Sequence, residues 1–132
     1  MNNQDFKELG LAVIQTEAAA ISALTERIND DFNHACEYML KCEGRIIVLG
    51  MGKSGHICQI VVATMASTGT PALFLPPAEG IHGDLGMLRK GDVIIDVSHY
   101  GEIDEVARHL PVSIRMVLAF ISMSRDPTGR SA

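Results

Sequence analysis

The chain has 132 residues, is 47% hydrophobic and 20% charged, and carries a formal net charge of -5. This balance fits one globular domain with a real core and excludes a disordered chain. The negative charge argues against a general nucleic-acid binder, which needs a basic face, and an aromatic share of 5% leaves few platforms for base stacking.

The cysteines and the apolar runs bear on the compartment. Cys36, Cys42 and Cys58 have no C-x-x-C spacing, which favours reduced structural thiols over disulfides or a zinc site. No apolar run approaches the roughly 20 residues that cross a bilayer, and the charges among the first twenty residues do not fit a signal peptide. The sequence therefore predicts a cytoplasmic protein that does not enter a membrane.

The first 43 residues are predicted to form two helices. Asn29-Asp30-Asp31 separates them, and Asp30 or Asp31 is expected to cap a second helix that runs through Leu40. Gly44 is expected to take the left-handed conformation that often follows a helix. The apolar stripe of the first helix has a spacing near 3.6 residues and comprises Leu9, Ala12, Val13, Ala20, Ile21, Leu24 and Ile28.

From residue 44 onward, short apolar runs alternate with helical segments. The predicted strands are Arg45–Leu49, Ala72–Leu75, Val93–Val97 and Ala119–Met123, and the predicted helices between them are Ile57–Ser67 and Ile103–Val112. Continuous apolar strands joined by helices indicate an α/β fold with a parallel sheet covered on both faces. Ligands of such sheets bind outside the carboxyl ends of the strands.

A glycine-rich turn, residues 50–55, joins the first strand to the helix that follows. Backbone N–H groups and the helix dipole favour an anion there, and Lys53 and Ser54 add a cation and a hydroxyl. The glycines of this turn have the G-x-G-x-x-G spacing of dinucleotide-binding proteins. That fingerprint also needs an acidic residue at the end of the second strand, where this chain has Pro76. A Walker A loop would place its first glycine at Ile47, inside the strand. A purely structural tight turn stays open as an alternative.

Two further segments carry candidate chemistry. His82 lies with Glu79 and Asp84 in a long loop and is suited to proton transfer, although hydrogen bonding to the main chain is the simpler alternative. The spacing matches no standard zinc motif, so no metal is predicted. Residues 98–102 follow the third strand and open a helix, which predicts a second anion-binding position. Glu105 lies one turn inside that helix, either facing the strand ends or solvated.

Three strings carry a family resemblance: GMGKSGH at 50–56, ASTGTP at 66–71 and HGDLGM at 82–87. Together they resemble the sugar isomerase (SIS) domain, and most closely its arabinose 5-phosphate isomerase branch. The resemblance implies a three-layer αβα parallel sheet of flavodoxin-like SIS type with N-terminal helices. Residues 1–132 would form a single SIS domain without CBS domains, with N-terminal helices over 1–43 and a sheet core over 44–132 that is incomplete at its C-terminus.

The resemblance also implies an activity. The family converts ribulose 5-phosphate to arabinose 5-phosphate, an aldose–ketose isomerisation on the route to a lipopolysaccharide sugar, and the branch implies no cofactor and a homo-oligomer, a dimer or tetramer. By motif, the catalytic residues would be Lys53, His82 and Glu105. The substrate- and phosphate-binding residues would be Gly52, Ser54, Gly55, Ser67, Thr68, Ser98, His99 and Gly101.

The chain departs from the family pattern at Pro76, Tyr100 and Ile103, and the last two replace phosphate-binding hydroxyls of the family. It also lacks the further carboxylate and histidine that the family carries beyond the fourth strand. These departures predict that the chain binds phosphosugar more readily than it turns it over. They leave a non-catalytic sugar-phosphate-binding or assembly module as the alternative, and a nicotinamide-binding domain as a weaker one.

Overall fold

The computed structural model describes residues 5–76, 84–98 and 119–125. Three α-helices lie in these ranges: α1 (Phe6–Ala23), α2 (Asp30–Leu40) and α3 (Gly52–Ser67). The strands are β1 (Ile46–Gly50), β2 (Ala72–Leu75), β3 (Val93–Ser98) and β4 (Ala119–Ser124), and short 3₁₀ helices cover Leu24–Arg27 and Asp84–Met87. The chain divides into two compact units, Met1–Cys36 and Glu37–Ala132. Within the described ranges, no helix combines the length and the apolar character that a membrane span requires.

Both N-terminal helices begin at polar caps. The side chain of Asp5 accepts a hydrogen bond from Lys7 N at 3.0 Å and so caps α1. Asn29 Oδ1 accepts one from Phe32 N at 3.2 Å and caps α2, so the expectation of an Asp30 or Asp31 cap is wrong. Both aspartates lie in the first turn of α2 instead, where their negative charge complements the helix dipole.

Gly44 does not take the left-handed conformation that its position after a helix predicted. The glycines of the described residues with positive φ are Gly52, Gly69 and Gly91. Gly44 N donates to Gly91 O at 3.0 Å, and a Cβ at Gly44 would come within 2.5 Å of Asp92 Oδ1. Glycine is therefore needed there for a close approach between two chain segments, and not for its dihedral freedom.

The sheet has the order β2-β1-β3-β4, and all neighbouring strands are parallel. This confirms the α/β parallel-sheet prediction, with strand ends that differ by no more than one residue. β1 pairs with β2 on one side and β3 on the other, so Leu49 lies beside Leu75 and Gly50 lies beside Val97. The carboxyl ends of β1, β2 and β3 therefore meet at one edge, and the crevice where such sheets bind ligands falls between β1 and β3.

Successive side chains of a strand point to opposite faces of the sheet, so the buried residues form one cluster on each face. One face buries Ile47, Leu49, Leu75, Leu88 and Ile94. The other buries Ile46, Val48, Cys58, Val93 and Ile95, with Val62 and Met65 packed against it. Cys58, Val62 and Met65 come from α3, so this helix covers the second face. Every residue of β1 is buried, as expected for a central parallel strand.

An ion pair closes the amino end of the sheet. Asp92, with 2% of its surface exposed, accepts hydrogen bonds from Arg45 N at 2.8 Å, Arg45 Nη2 at 3.0 Å and Arg89 N at 2.9 Å. Burial by itself raises the pKa of the Asp92 carboxyl. The hydrogen bonds from Arg45 and Arg89 N, with the positive charge of Arg45, outweigh burial and hold this pKa below its usual value. This network is structural, because it lies at the edge opposite the strand carboxyl ends.

Candidate functional site

The turn between β1 and α3 leaves backbone donors available at the sheet edge. Met51 is extended, with φ -108° and ψ 151°, and its side chain makes no cap hydrogen bond. Gly55 N donates to Met51 O at 3.2 Å, so the intrahelical ladder starts at Gly55. The N–H groups of Gly52, Lys53 and Ser54 precede that first bond and have no partner in the described part of the chain. They form an electropositive helix end.

The structure corrects where this helix begins. The sequence predicted a turn over residues 50–55 and a helix from Ile57, whereas α3 starts at Gly52. Lys53 and Ser54 therefore lie in the first helical turn and not in a free loop. Gly52 has φ +58°, a left-handed conformation that glycine adopts without strain. The chain thus turns from strand to helix within two residues.

Gly50 and Gly55 serve a different purpose, because they let α3 start directly against the end of β1. A Cβ at Gly55 would lie 2.8 Å from Gly50 O, and one at Gly50 would lie 2.6 Å from Cys58 Sγ. Cys58, whose Sγ donates to Leu49 O at 3.5 Å, is fully buried under the turn. Burial and, secondarily, the negative charge of Asp96 raise the pKa of the Cys58 thiol, which disfavours its thiolate and indicates a packing role for this sulfur.

Three side chains of the predicted site lie at the carboxyl edge, the catalytic candidate Lys53 and the binding candidates Ser54 and Ser98. Lys53 is exposed and Ser54 is half-buried, and within the described residues neither side chain has a hydrogen bond or an ion pair. Ser98 ends β3, the strand beside β1. Its Oγ is buried and has no hydrogen-bond partner in the ranges described. The Lys53 side chain and the hydroxyls of Ser54 and Ser98 therefore lie near the crevice between β1 and β3.

A cavity of about 370 Å³ adjoins the turn. Its lining comprises Gly50, Met51, Gly52, Gly55, His56, Gln59, Phe74 and Pro76. His56 and Gln59 were not among the site residues predicted from the sequence. Their spacing from Gly52 was the available signal, because residues four and seven positions along a helix share its side. Pro76, noted in the sequence only as a departure from the family, forms part of the wall.

Two predicted binding residues lie far from this edge. Ser67 is the last residue of α3 and Thr68 follows it, so about 20 Å of helix separates them from Lys53. Their hydroxyls donate to helix carbonyls, Ser67 Oγ to Thr64 O at 2.8 Å and Thr68 Oγ1 to Thr64 O and Met65 O at 3.0 Å each. The structure does not bring them together with the turn.

The remaining predicted site residues lie outside the described ranges. These are the catalytic candidates His82 and Glu105 and the binding candidates His99 and Gly101, together with the predicted helix Ile103–Val112. Their roles stay predictions from the sequence. Gly52 and Gly55 are described, and both line the cavity.

The sequence profile of the SIS domain matches residues 39–124. Among curated relatives, arabinose 5-phosphate isomerase KdsD of Yersinia pestis is 45% identical over 93% of this chain. The protein of the same name from Pseudomonas aeruginosa is 45% identical over 95% of it. The chain spans 38% of the length of each of these two relatives.

Solved structures agree with this assignment. The c3406 protein of Escherichia coli CFT073, solved in complex with arabinose 5-phosphate, superposes with a TM-score of 0.83 and 35% identity, covering 98% of this chain and 69% of its own. A Bacteroides fragilis protein described as a phosphosugar isomerase involved in capsule formation gives a TM-score of 0.87 and 29% identity. That alignment covers 96% of this chain and 68% of the other. The glycine turn, the parallel sheet and these relationships together establish that the chain belongs to the SIS domain family.

Proposed function

We propose that this chain binds a pentose 5-phosphate and interconverts ribulose 5-phosphate and arabinose 5-phosphate. Its relatives include proteins named arabinose 5-phosphate isomerase, and a structural neighbour was solved with arabinose 5-phosphate. The observation that carries the proposal is the set of unpartnered N–H groups at the start of α3, beside Lys53. Such a helix end, next to the ligand-binding crevice of a parallel sheet, suits an anionic or electron-rich ligand.

The proposed ligand lies across the ends of β3 and β1. Its phosphate would lie at the end of β3 with Ser98, His99 and Gly101, and its sugar oxygens at the β1–α3 turn with Lys53 and Ser54. The buried hydroxyl of Ser98, which has no partner among the described residues, supports the phosphate position because a ligand oxygen would satisfy it. Binding the remote phosphate holds the reacting carbons in register.

The proposed reaction passes through an enediolate. A base takes the C1 proton of ribulose 5-phosphate, the electron pair of the C1–H bond forms the C1–C2 double bond, and negative charge moves to O2. The α3 N–H groups and the Lys53 ammonium would stabilise that charge. Transfer of the O1 proton to O2 and return of a proton to C2 then give the aldehyde at C1 and the hydroxyl at C2 of arabinose 5-phosphate. The family motif suggests His82 and Glu105 for the proton transfers.

The Lys53→Ala variant tests this proposal by calorimetry with arabinose 5-phosphate. Loss of a charge-assisted hydrogen bond should cost about 1–3 kcal/mol of binding free energy, which is roughly a 5- to 150-fold weaker affinity. Lys41→Ala is the matched control, since Lys41 lies at the surface, outside the candidate site, and forms a surface ion pair with Glu37 at 3.4 Å. Equal affinities for the unmodified chain and the Lys53 variant would remove Lys53 from the site.

A turnover assay between the two pentose phosphates distinguishes the two functional candidates. Isomerisation that Lys53→Ala lowers would establish the enzyme. Tight binding of arabinose 5-phosphate without turnover would instead establish a non-catalytic sugar-phosphate-binding module. If arabinose 5-phosphate does not bind at all, both candidates fail.

We further propose that residues 1–132 act as a single SIS domain that self-associates as a dimer or tetramer in the cytoplasm. Support for association comes from α1, which buries none of its residues although it carries apolar side chains such as Val13, Ile14 and Ile21, each more than half exposed. Support for the compartment comes from the cysteines, which are all free and so suit a reducing environment.

A further inference from the structure

The cavity beside the turn lies on the β2 side of β1, away from the crevice that the proposed phosphate site uses. Phe74 and Pro76, from the end of β2, form one wall, and His56 and Gln59 of α3 form another. β1 separates β2 from β3 in the sheet. The cavity and the end of β3 therefore flank the end of β1 from opposite sides.

Helix geometry separates the two sides of α3 in the same way. Gly52, His56 and Gln59 are spaced by four and three residues, and all three line the cavity, as expected for one flank of a helix. Ser54 is five residues before Gln59, which places it about 140° away around the helix axis. Gln59 thus lies on the flank that lines the cavity, and Ser54 does not.

The side chains of the cavity suit a neutral, oxygen-rich group. His56 and Gln59 are exposed, and within the described residues neither has a hydrogen bond or an ion pair. A carboxamide both donates and accepts, as does a neutral imidazole, so the pair can bind a carbonyl oxygen or a hydroxyl. The described lining contains no Lys, Arg, Asp or Glu, which disfavours a phosphate in this cavity.

The distance across the sheet edge matches one ligand. Adjacent strands lie about 4.8 Å apart, so the ends of β3 and β2 are on the order of 10 Å apart. An extended pentose 5-phosphate spans roughly that distance. A cavity of about 370 Å³ is near the lower limit for small-molecule sites, so it has room for one end of such a ligand.

We propose that His56 and Gln59 bind the oxygens at the carbonyl end of the open-chain sugar, and that Phe74 and Pro76 limit how long the sugar can be. This inference rests on the proposed function and deepens it. His56 and Gln59 become specificity-determining residues, because they contact the end of the ligand where sugar phosphates differ. The phosphate, bound on the far side of β1, does not contact them.

Calorimetry of the full chain with two probes, arabinose 5-phosphate and inorganic phosphate, tests this assignment. Gln59→Ala and His56→Ala should each weaken arabinose 5-phosphate binding about five- to tenfold, as for one lost hydrogen bond. Neither should change the affinity for inorganic phosphate, which occupies only the far site. Ile60→Ala is the matched control, because Ile60 is the next residue on α3, is 67% exposed and lies outside the cavity.

A second measurement compares arabinose 5-phosphate with a hexose 6-phosphate. Gln59→Ala should reduce the preference for the pentose, while Ile60→Ala should preserve it. Unchanged arabinose 5-phosphate affinity in both cavity variants would overturn the inference, as would an equal loss for both probes. If the unmodified chain binds inorganic phosphate but not arabinose 5-phosphate, the proposed function fails and the inference falls with it. If the sugar binds but the cavity variants have no effect, the inference alone is wrong.

Discussion

Asp92→Asn is the most direct test of the polar network at the amino end of the sheet. The two carboxylate oxygens of Asp92 accept three hydrogen bonds, two from Arg45 and one from Arg89 N, at 2.8–3.0 Å. Asparagine places an NH₂ group where one of these oxygens stands. At least one donor then loses its acceptor, and the Arg45 guanidinium loses its counter-charge.

The size of the effect follows from burial. A hydrogen bond to a charged group contributes about 1.5–3 kcal/mol, and breaking a buried ion pair costs about 3–5 kcal/mol. The Arg45 side chain is 31% exposed and its Nη2 also donates to Met87 O at 2.6 Å, so water and this carbonyl retain part of its solvation. We expect the variant to lose about 2–4 kcal/mol of unfolding free energy, a large share of the 5–15 kcal/mol typical of domains.

The effect should depend on pH in a defined direction. The pKa of Asp92 is lower in the folded state than its usual value, because hydrogen bonds and the charge of Arg45 outweigh burial. The stabilisation is therefore complete above the unfolded-state pKa of about 3.9 and is lost as the pH falls through the folded-state pKa. The stability difference between the unmodified chain and Asp92→Asn should stay constant from about pH 5 to 7 and shrink below about pH 4.

Urea unfolding followed by circular dichroism at several pH values measures this difference. Lys41→Gln is the control, because it removes the charge from a surface pair whose side chains are 77% and 50% exposed. Such a pair should contribute no more than about 0.5 kcal/mol. The reasoning is refuted if Asp92→Asn is as stable as this control, or if its deficit does not narrow in acid.

The remaining predictions concern two glycines and one buried cysteine. Gly55→Ala should cost about 1–3 kcal/mol of unfolding free energy, because its Cβ would lie 2.8 Å from the backbone oxygen of Gly50. The same clash should weaken the proposed sugar-phosphate binding. A variant as stable in urea as the unmodified chain would contradict this prediction. Gly10→Ala, where a Cβ meets nothing within 4 Å inside α1, should instead add about 0.5–1 kcal/mol. Cys58 should resist alkylation in the folded chain, because burial and the charge of Asp96 raise the pKa of its thiol; mass spectrometry showing that it reacts as fast as the other two cysteines would refute that.

Much of the fold could be predicted because the signals are local. Four short apolar runs between glycine and proline turns indicated the four strands, and all four lie in one parallel sheet. The caps were less predictable, since Asn29, Asp30 and Asp31 can all cap a helix. The structure shows that Asn29 is the cap, because its side chain accepts a hydrogen bond from Phe32 N. The path of the main chain decides this, and the sequence does not.

The candidate site was predictable only where its residues follow directly from a strand. Gly52, Lys53, Ser54 and Ser98 come immediately after or at the ends of strands, and the parallel sheet brings these ends to one edge. The strings that carry the family resemblance do not say which end of a helix a residue occupies. The motifs around Lys53 and Ser67 resemble the family equally closely. However, the sixteen residues of α3 separate the two positions, so Ser67 lies at the edge of the sheet opposite to Lys53.

The sequence by itself determined the helices and strands of this protein, because the spacing of apolar residues and the positions of glycines affect the backbone within a few residues. Only the tertiary structure decided why particular residues are needed. Gly44 is a glycine because Asp92, far along the chain, approaches it, and Gln59 faces a cavity because Phe74 and Pro76 end the neighbouring strand. These contacts depend on the order and register of strands in the sheet, which are set by the packing of distant segments and not by any local pattern.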